Sequence, residues 1–159
     1  MDFNLTEQQL MMQKLFREVA QNEVKENAAD VDENERFPKE SVEVMRQAKM
    51  LGIPYSREYG GAGADYLCYI LAIEELSKTC ATSGVVLSAH TSLGTWPIAQ
   101  FGTEEQKQRF LTDLCTGKKL AAFGLTEPNA GTDAAGQQTT AVLDLSLIHI
   151  SEPTRLGMI

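Results

Sequence analysis

The sequence lacks any long apolar run. Its 159 residues contain no stretch of about 18 consecutive apolar residues, which is the length that a membrane-spanning helix needs. Residues 1–7 include Asp2 and Glu7, and they have neither the basic start nor the apolar segment of a secretory signal peptide. We therefore expect no membrane partner and a cytoplasmic location.

Paired cysteines and clustered histidines are also absent. Cys68, Cys80 and Cys115 are odd in number and widely spaced, and they form no C-x-x-C pattern. Free thiols in a reducing cytoplasm are the expected state of such cysteines. His90 and His149 have no neighbours at the spacing of metal ligands, so the pattern does not favour a metal site.

The sequence also lacks an excess of positive charge. Lysine and arginine number 14 against 22 aspartate and glutamate residues, which gives a net charge of −8 that is spread along the chain. This balance argues against nucleic acid as the main partner. It still allows an anionic ligand, because backbone amides can bind phosphate locally. The apolar share of 43% is sufficient for a hydrophobic core.

Helical spacing dominates the chain before residue 119. Thr6 and Gln9 form a capping-box pattern, and apolar residues then recur at steps of three and four as far as Val31. Thr103 and Gln106 repeat the capping box at the start of a later helix. The spacing predicts about six helices in this part of the chain.

Further helices are expected in the middle of this region. A second helix is predicted to start at Phe37-Pro38 and to end at Gly52 as a C-cap. The glycine-rich run 59–65 fits neither phosphate-loop pattern and is predicted to be a loop between helices. Residues 66–78 are apolar on most sides, as in a central helix.

Two regions of these helices invite a functional interpretation. Glu74 and Glu75 are adjacent, and neighbouring helix positions point about 100° apart, so the two carboxylates are not expected to share a proton. The predicted helix 85–93 carries small residues at Ser88 and Ala89, among others. Small side chains leave room for a neighbouring backbone or for a ligand chain, and the pattern does not choose between them.

Helical spacing stops near residue 120. Residues 120–125 and 137–143 are predicted to be strands. The turn-forming stretch 124–136 overlaps the end of the first strand and leads to the second. Gly131 permits a backbone conformation that is closed to residues with a Cβ. Thr126 and Thr132 place two hydroxyl groups on this turn. The turn is therefore either a polar connection or a site that holds carbonyl or phosphate oxygens.

The order of these parts resembles the acyl-CoA dehydrogenase family. The segments FGTEEQK at 101–107 and LTEPNAGTD at 125–133 carry the resemblance, while 59–63 and 87–93 look most like the butyryl-CoA (short-chain) enzymes of anaerobic bacteria. The resemblance extends from Met1 to about Asp144. It implies a mainly α fold, with an all-helical domain at 1–118 and the first strands of a truncated β-barrel middle domain at 119–144.

The resemblance also implies a cofactor and a site. In the family this strand and turn lie against FAD, so Phe123, Leu125 and Thr126 are expected to line the flavin. Gly131 and Thr132 are expected to approach the pyrophosphate and the pantetheine of the substrate. Hydrogen bonds from Thr126 to the polar edge of the flavin would stabilise its reduced, more anionic ring.

Two further groups of residues take roles from the resemblance. Leu87, Ala89 and His90 are expected to border the end of the acyl pocket and to limit chain length by volume. Glu127 and Asp133 are interpreted as structural, because acidic side chains in turns commonly bind backbone amides. No catalytic residue is assigned in this sequence.

The implied reaction is the α,β-dehydrogenation of a short-chain acyl-CoA to the trans-2-enoyl-CoA. The family resemblance implies electron-transfer flavoprotein as the partner that reoxidises FAD, and a homotetramer as the assembly. Two alternatives stay open. An acyl-CoA oxidase of the same fold would pass electrons to oxygen, and a helical binding module would need no flavin.

The last residues depart from the family pattern. Residues 145–155 look like the in-frame translation of a transposase adapter used to prepare sequencing libraries. The alternative is a natural strand-forming tail, because Leu147, Ile148 and Ile150 suit a sheet. The first interpretation predicts that 145–159 is non-native and that the catalytic glutamate of the family lies outside this sequence. The chain alone is then expected to be an inactive fragment.

Overall fold

The computed structural model of the chain describes residues 4–144 and 147–151. The chain divides into two compact units, Met1–Ala122 and Phe123–Ile159. The first unit is helical and the second contains a turn and two strands, and each unit is described by itself below.

Helices form nearly all of the first unit. Their bounds are α1 Glu7–Val19, a π-helical segment Ala20–Val24, α2 Lys25–Glu33, α3 Lys39–Gln47, α4 Tyr66–Ser77, α5 Ala81–Ser88, a second π-helical segment Ala89–Thr95, α6 Trp96–Phe101 and α7 Glu104–Cys115. Short 3₁₀ turns lie at Met50–Gly52 and Arg57–Tyr59. The mainly α fold predicted from the sequence is confirmed.

Both predicted capping boxes are present. The Thr6 hydroxyl accepts a hydrogen bond from the amide of Gln9 at 3.2 Å, and the Gln9 side chain accepts one from the amide of Thr6 at 2.9 Å. Thr103 and Gln106 make the same exchange at 3.3 and 2.8 Å. These bonds satisfy amides that the first turn of a helix leaves unpaired, so they fix where α1 and α7 begin.

Two clusters of buried side chains hold the helices of this unit together, a large one and a small one formed by Tyr55, Leu111 and Cys115. Helix α4 packs against α1 on one side and α5 on the other, as its nearly all-round apolar sequence predicts. The largest fully buried apolar side chains are Phe16, Val24, Met45, Met50, Leu51, Ile53, Leu76, Leu87 and Leu111. A central α4 therefore fixes the position of α5 and of the π-helical segment that follows it.

Two predicted helix boundaries are wrong. Helix α3 ends at Gln47, and the left-handed residue after it is Lys49 (φ 56°) rather than Gly52. Gly52 is buried, and a Cβ there would lie 2.7 Å from the carbonyl oxygen of Cys115. Glycine is therefore needed at this position for close packing and not as a helix cap. The predicted end of the helix 85–93 is also wrong, since the π-helical segment Ala89–Thr95 continues the helix as far as Trp96.

The glycine-rich run is a loop between α3 and α4, as predicted. Gly60 and Gly63 have φ values of 82° and 66°, a region that favours glycine. The Asp65 side chain then accepts a hydrogen bond from the amide of Cys68 at 2.8 Å and so caps the start of α4.

The second unit has an antiparallel pair of strands. Strand β1 (Thr140–Asp144) pairs with β2 (Leu147–Ser151), with Thr140 opposite Ser151 and Asp144 opposite Leu147. The strand predicted at 137–143 is therefore found, although it starts three residues later and ends one residue later than predicted. Strand β2 lies within the adapter-like tail, whose residues 145–146 and 152–159 fall outside the described part of the chain.

The strand predicted at 120–125 is wrong. Residues 120–125 are not in a strand, because no described segment offers this stretch a pairing partner. The amide of Ala121 instead donates to a side chain, the imidazole of His90. Apolar β-forming residues are not sufficient for a strand without a neighbouring backbone.

Candidate functional site

The predicted turn is closed by its own backbone. The amide of Glu127 donates to the carbonyl of Ala130 at 3.1 Å, and the amide of Ala130 donates back to the carbonyl of Glu127 at 3.2 Å. Pro128 and Asn129 form the tip of this loop. Ala130 is fully buried although the residues around it are exposed. The loop therefore has a fixed base from which exposed groups project.

Glu127 ties the turn to the chain that follows it. Its carboxylate accepts hydrogen bonds from the amides of Gln138 and Thr139 at 2.6 and 3.0 Å, and from the Thr139 hydroxyl. The Thr139 hydroxyl and then the Gln138 amide lower the pKa of Glu127, because each favours the charged carboxylate. The structural interpretation of Glu127 is confirmed, and a residue used in this way is a poor candidate for a general base.

Asp133 behaves differently from its prediction. Across residues 4–144 and 147–151 its carboxylate accepts no hydrogen bond, so the expected bonds to amides are not found. The carbonyl of Asp133 accepts the Gly136 amide at 3.1 Å within a 3₁₀ turn at Ala134–Gly136. The backbone of Asp133, not its side chain, therefore shapes this part of the turn.

The predicted cofactor residues form an exposed set on the second unit. Phe123 and Leu125 leave 51% and 42% of their surface exposed. Thr126 and Thr132 are also exposed, and neither hydroxyl has a hydrogen-bond partner among the described residues. Apolar surface beside unpaired hydroxyl groups is suited to a ligand with a flat apolar ring and polar edges.

Gly131 does not have the special backbone conformation that was predicted for it. Its φ is not positive, so the backbone does not require glycine there. No heavy atom lies within 4 Å of the position that a Cβ would take. What glycine supplies is open space above the backbone, and this space suits the close approach of a phosphate or an amide of a ligand.

The predicted acyl-pocket residues lie on the first unit, in α5 and the π-helical segment. Leu87 is fully buried, His90 is 1% exposed and Ala89 is half-buried. The small residues of this helix make close contacts. A Cβ at Gly84 would lie 2.0 Å from the Ser77 hydroxyl, and one at Gly94 would lie 2.3 Å from the Ala121 Cβ. Close packing therefore fills the space at these two glycines.

His90 is oriented by a backbone amide. Its Nδ1 accepts a hydrogen bond from the Ala121 amide at 3.0 Å, while Nε2 has no partner among the described residues. Burial lowers the pKa of His90. Because Nδ1 accepts a hydrogen bond, it carries no proton, and the ring then has its proton on Nε2. This bond could not be predicted from the sequence, because 31 residues separate its partners.

Other polar groups in the buried helices were also missed. The hydroxyls of Ser83 and Thr91 are buried without a hydrogen-bond partner in the described ranges. The hydroxyl of Tyr55 donates to the carbonyl of Thr91, and that of Tyr69 donates to the carbonyl of Ser88 at 3.2 Å. Single polar residues within apolar runs carry no periodic pattern, so the sequence does not reveal their partners.

The part of the chain that the structure describes has no group of three or more potential ligands that could hold a metal ion. Within the same residues, no helix combines the length and the apolar character of a membrane span. The three cysteines are free and buried. The turn of the second unit has exposed apolar side chains and two hydroxyl groups without a hydrogen-bond partner among the described residues, and on this ground it is a candidate for ligand binding.

Comparison with known sequences identifies relatives. The sequence profile described as "Acyl-CoA dehydrogenase, N-terminal domain" matches residues 6–118. The short-chain specific acyl-CoA dehydrogenase of Clostridium acetobutylicum is 60% identical over 144 residues, which are 91% of this chain and 38% of that protein. The chain thus spans less than half the length of the curated relative it matches.

Solved structures of acyl-CoA dehydrogenases are also similar to this chain. The butyryl-CoA dehydrogenase of Megasphaera elsdenii matches with a TM-score of 0.83 and 46% identity, over 89% of this chain and 38% of the other. An acyl-CoA dehydrogenase from Bacillus anthracis, solved as a complex with FAD, matches with a TM-score of 0.84 and 33% identity, over 94% of this chain and 26% of the other.

Proposed function

Since the chain belongs to the acyl-CoA dehydrogenase family, we propose that it forms the N-terminal part of an FAD-dependent enzyme that oxidises short-chain acyl-CoA thioesters to trans-2-enoyl-CoA. The 60% identity to a short-chain specific enzyme supports the substrate class. The observation that carries the proposal is the exposed turn, where Glu127 fixes the backbone and the hydroxyls of Thr126 and Thr132 remain unpaired.

The residues of the turn fit FAD. Phe123 and Leu125 would cover one face of the flavin ring, and Thr126 would donate hydrogen bonds from its hydroxyl and amide to the polar edge. Gly131 and Thr132 would hold the pyrophosphate of FAD and the pantetheine of the substrate, because open space above Gly131 lets a ligand approach the backbone. When bound, FAD would supply the acceptor for the hydride that leaves the β-carbon.

Positioning is the contribution of this chain to the reaction. Donors that are fixed before the ligand arrives need no reorganisation during the reaction, and this makes them effective in stabilising developing charge. Glu127 holds the turn that carries Thr126, so it acts on the flavin site through the backbone. We assign no catalytic base to the described residues, because Glu75 is ion-paired and Glu127 is occupied by amides.

The acyl pocket is proposed to be bordered by α5 and the π-helical segment. Leu87 and Ala89 would limit the length of the acyl chain by their volume. His90 would contribute its ring as a wall, since Nδ1 is used by the Ala121 amide and the site is neutral.

The partners follow from the same proposal. Electron-transfer flavoprotein would reoxidise the FAD, and the assembled enzyme would be a homotetramer. The acidic net charge of −8 does not favour nucleic acid as a partner. We place the enzyme in the cytoplasm, because its three buried free cysteines suit a reducing compartment.

The proposal can be tested with a fusion protein. Residues 1–144 are joined to the part of the Clostridium acetobutylicum enzyme that follows the matched region, and that enzyme itself is the control. We expect FAD to co-purify, and a series of acyl-CoA lengths to give the highest rate near butyryl-CoA with electron-transfer flavoprotein as acceptor. Hydrogen peroxide release in place of transfer to this acceptor would instead indicate an oxidase.

A further inference from the structure

The segment 119–122, which ends the first unit, is held by two contacts with earlier residues of that unit. At one end the amide of Lys119 donates to the carbonyl of Asp113 at 3.0 Å, and the Lys119 ammonium lies 3.0 Å from the Asp113 carboxylate. At the other end the amide of Ala121 donates to Nδ1 of His90 at 3.0 Å. Because the segment forms no strand, these contacts replace the backbone pairing that would otherwise hold it.

Gly94 supplies the second contact to Ala121. A Cβ at position 94 would lie 2.3 Å from the Cβ of Ala121 and 3.0 Å from its carbonyl carbon, so only glycine admits the segment at this distance. His90 and Gly94 are both in the π-helical segment Ala89–Thr95. π-Helical geometry is rare and occurs mostly as a single turn inside an α-helix, frequently at a functional site.

The π-helical geometry is itself stabilised by a buried bond. The Thr95 hydroxyl donates to the carbonyl of His90 at 2.7 Å, and Thr95 is fully buried. This bond fixes the backbone at the residue whose ring binds Ala121. The ring of His90 directs Nδ1 at the amide of Ala121 in this segment.

We propose that His90 is a positioning residue, which together with Gly94 holds segment 119–122 in place as a neutral imidazole protonated at Nε2. The segment is continuous in sequence with residues 123–126, which begin the second unit. The hydrogen bond and the tautomer do not depend on the proposed function.

Three variants separate the acceptor from the bulk of the ring. In His90→Asn the amide oxygen takes the place of Nδ1 and can accept the Ala121 amide. His90→Leu has a comparable apolar volume and no acceptor. His90→Gln places its amide near Nε2 and leaves the position of Nδ1 without an acceptor. A residue that only fills space would be replaced best by leucine, and an acceptor would be replaced best by asparagine.

The test is hydrogen exchange of the Ala121 amide, followed by NMR in the 159-residue chain. The internal reference is the amide of Cys68, which donates a hydrogen bond to the Asp65 carboxylate. We expect the Ala121 amide to exchange about tenfold faster relative to Cys68 in His90→Leu and His90→Gln than in the wild type, and His90→Asn to restore slow exchange. The imidazole ¹⁵N spectrum of the wild type is expected to show an unprotonated Nδ1 and a protonated Nε2.

Two results would overturn the proposal. One is equal protection of Ala121 in His90→Leu and the wild type, and the other is a proton on Nδ1. Neither measurement uses FAD or acyl-CoA, so a failure here is distinguishable from a failure of the proposed dehydrogenase activity.

Discussion

Arg17 on α1 holds the carboxylate of Glu75 on α4 through two hydrogen bonds of 3.0 Å each, from Nε and Nη2. Glu75 is only 3% exposed, and Lys78 supplies a third donor at 3.1 Å. Glu74, its neighbour in sequence, is half exposed and pairs with Lys78 at 2.7 Å. The two glutamates thus differ in burial, although both carboxylates contact the Lys78 ammonium.

This ion pair predicts an acid-dependent loss of stability. The hydrogen bond from Arg17 is the main reason that the pKa of Glu75 lies below its ordinary value of 4.5. A carboxyl with a lowered pKa in the folded state stabilises the fold above its unfolded pKa, and this contribution disappears as the pH falls through the folded value. We expect Glu75→Gln to reduce the fall in thermal midpoint between about pH 5 and pH 3.

Glu74→Gln is the matched control for this measurement. Its side chain is half exposed and its bond to Lys78 is at the surface, so its effect on the midpoint is expected to be small. If wild type and Glu75→Gln lose stability in parallel on acidification, the ion pair does not have the role described here.

The turn gives a second prediction. Glu127→Ala removes the acceptor of the Gln138 and Thr139 amides, and we expect these amides to exchange about tenfold faster or more. Asp133→Ala is the control, because its carboxylate accepts no hydrogen bond in the described part of the chain. Hydrogen exchange followed by NMR measures both, and equal effects of the two variants would contradict the assignment.

Two glycines give a third prediction. Gly94→Ala would push a Cβ to 2.3 Å from Ala121, and overpacking of this kind is expected to lower the free energy of unfolding by about 1–3 kcal/mol. Gly131→Ala meets no atom within 4 Å and has no positive φ, so its effect on stability is expected to be small. Urea denaturation of the two variants compares these values directly.

Stability is not the only quantity that separates these glycines. In the fusion protein, Gly131→Ala is expected to weaken FAD binding, because its methyl group would occupy the space proposed for the pyrophosphate. Unchanged affinity for FAD in that variant would argue against this placement of the cofactor.

The features that the sequence predicts well are local ones. The capping boxes at Thr6 and Thr103 and the loop at 59–65 depend on residues close together in the chain, and all three are found. The role of Glu127 was also predicted, since its partners are only 11 and 12 residues away.

Features that depend on distant partners were not predicted. The segment 120–125 has strand-like residues, but a strand requires a neighbouring backbone, and the amide of Ala121 binds His90 across 31 positions instead. The π-helical segment was missed for a related reason. Its geometry follows from packing against Ala121 and from the bond between Thr95 and the His90 carbonyl, and neither contact leaves a period in the sequence.

A fourth prediction concerns the chain by itself. We expect the 159-residue chain, expressed alone, neither to retain FAD nor to oxidise butyryl-CoA. The proposed flavin residues are exposed on the second unit, and no catalytic base is assigned among the described residues. Flavin absorbance after purification measures this, and a yellow, active preparation would refute it.

The most direct test of the central claim is reduction of bound flavin by butyryl-CoA in the fusion protein that carries residues 1–144. If the turn is one wall of a flavin and acyl-CoA site, the purified fusion is yellow and butyryl-CoA bleaches its absorbance. Thr126→Val, which keeps the shape and removes the hydroxyl, should then bleach about tenfold more slowly. A colourless fusion, or a yellow one that butyryl-CoA does not bleach, would contradict the account.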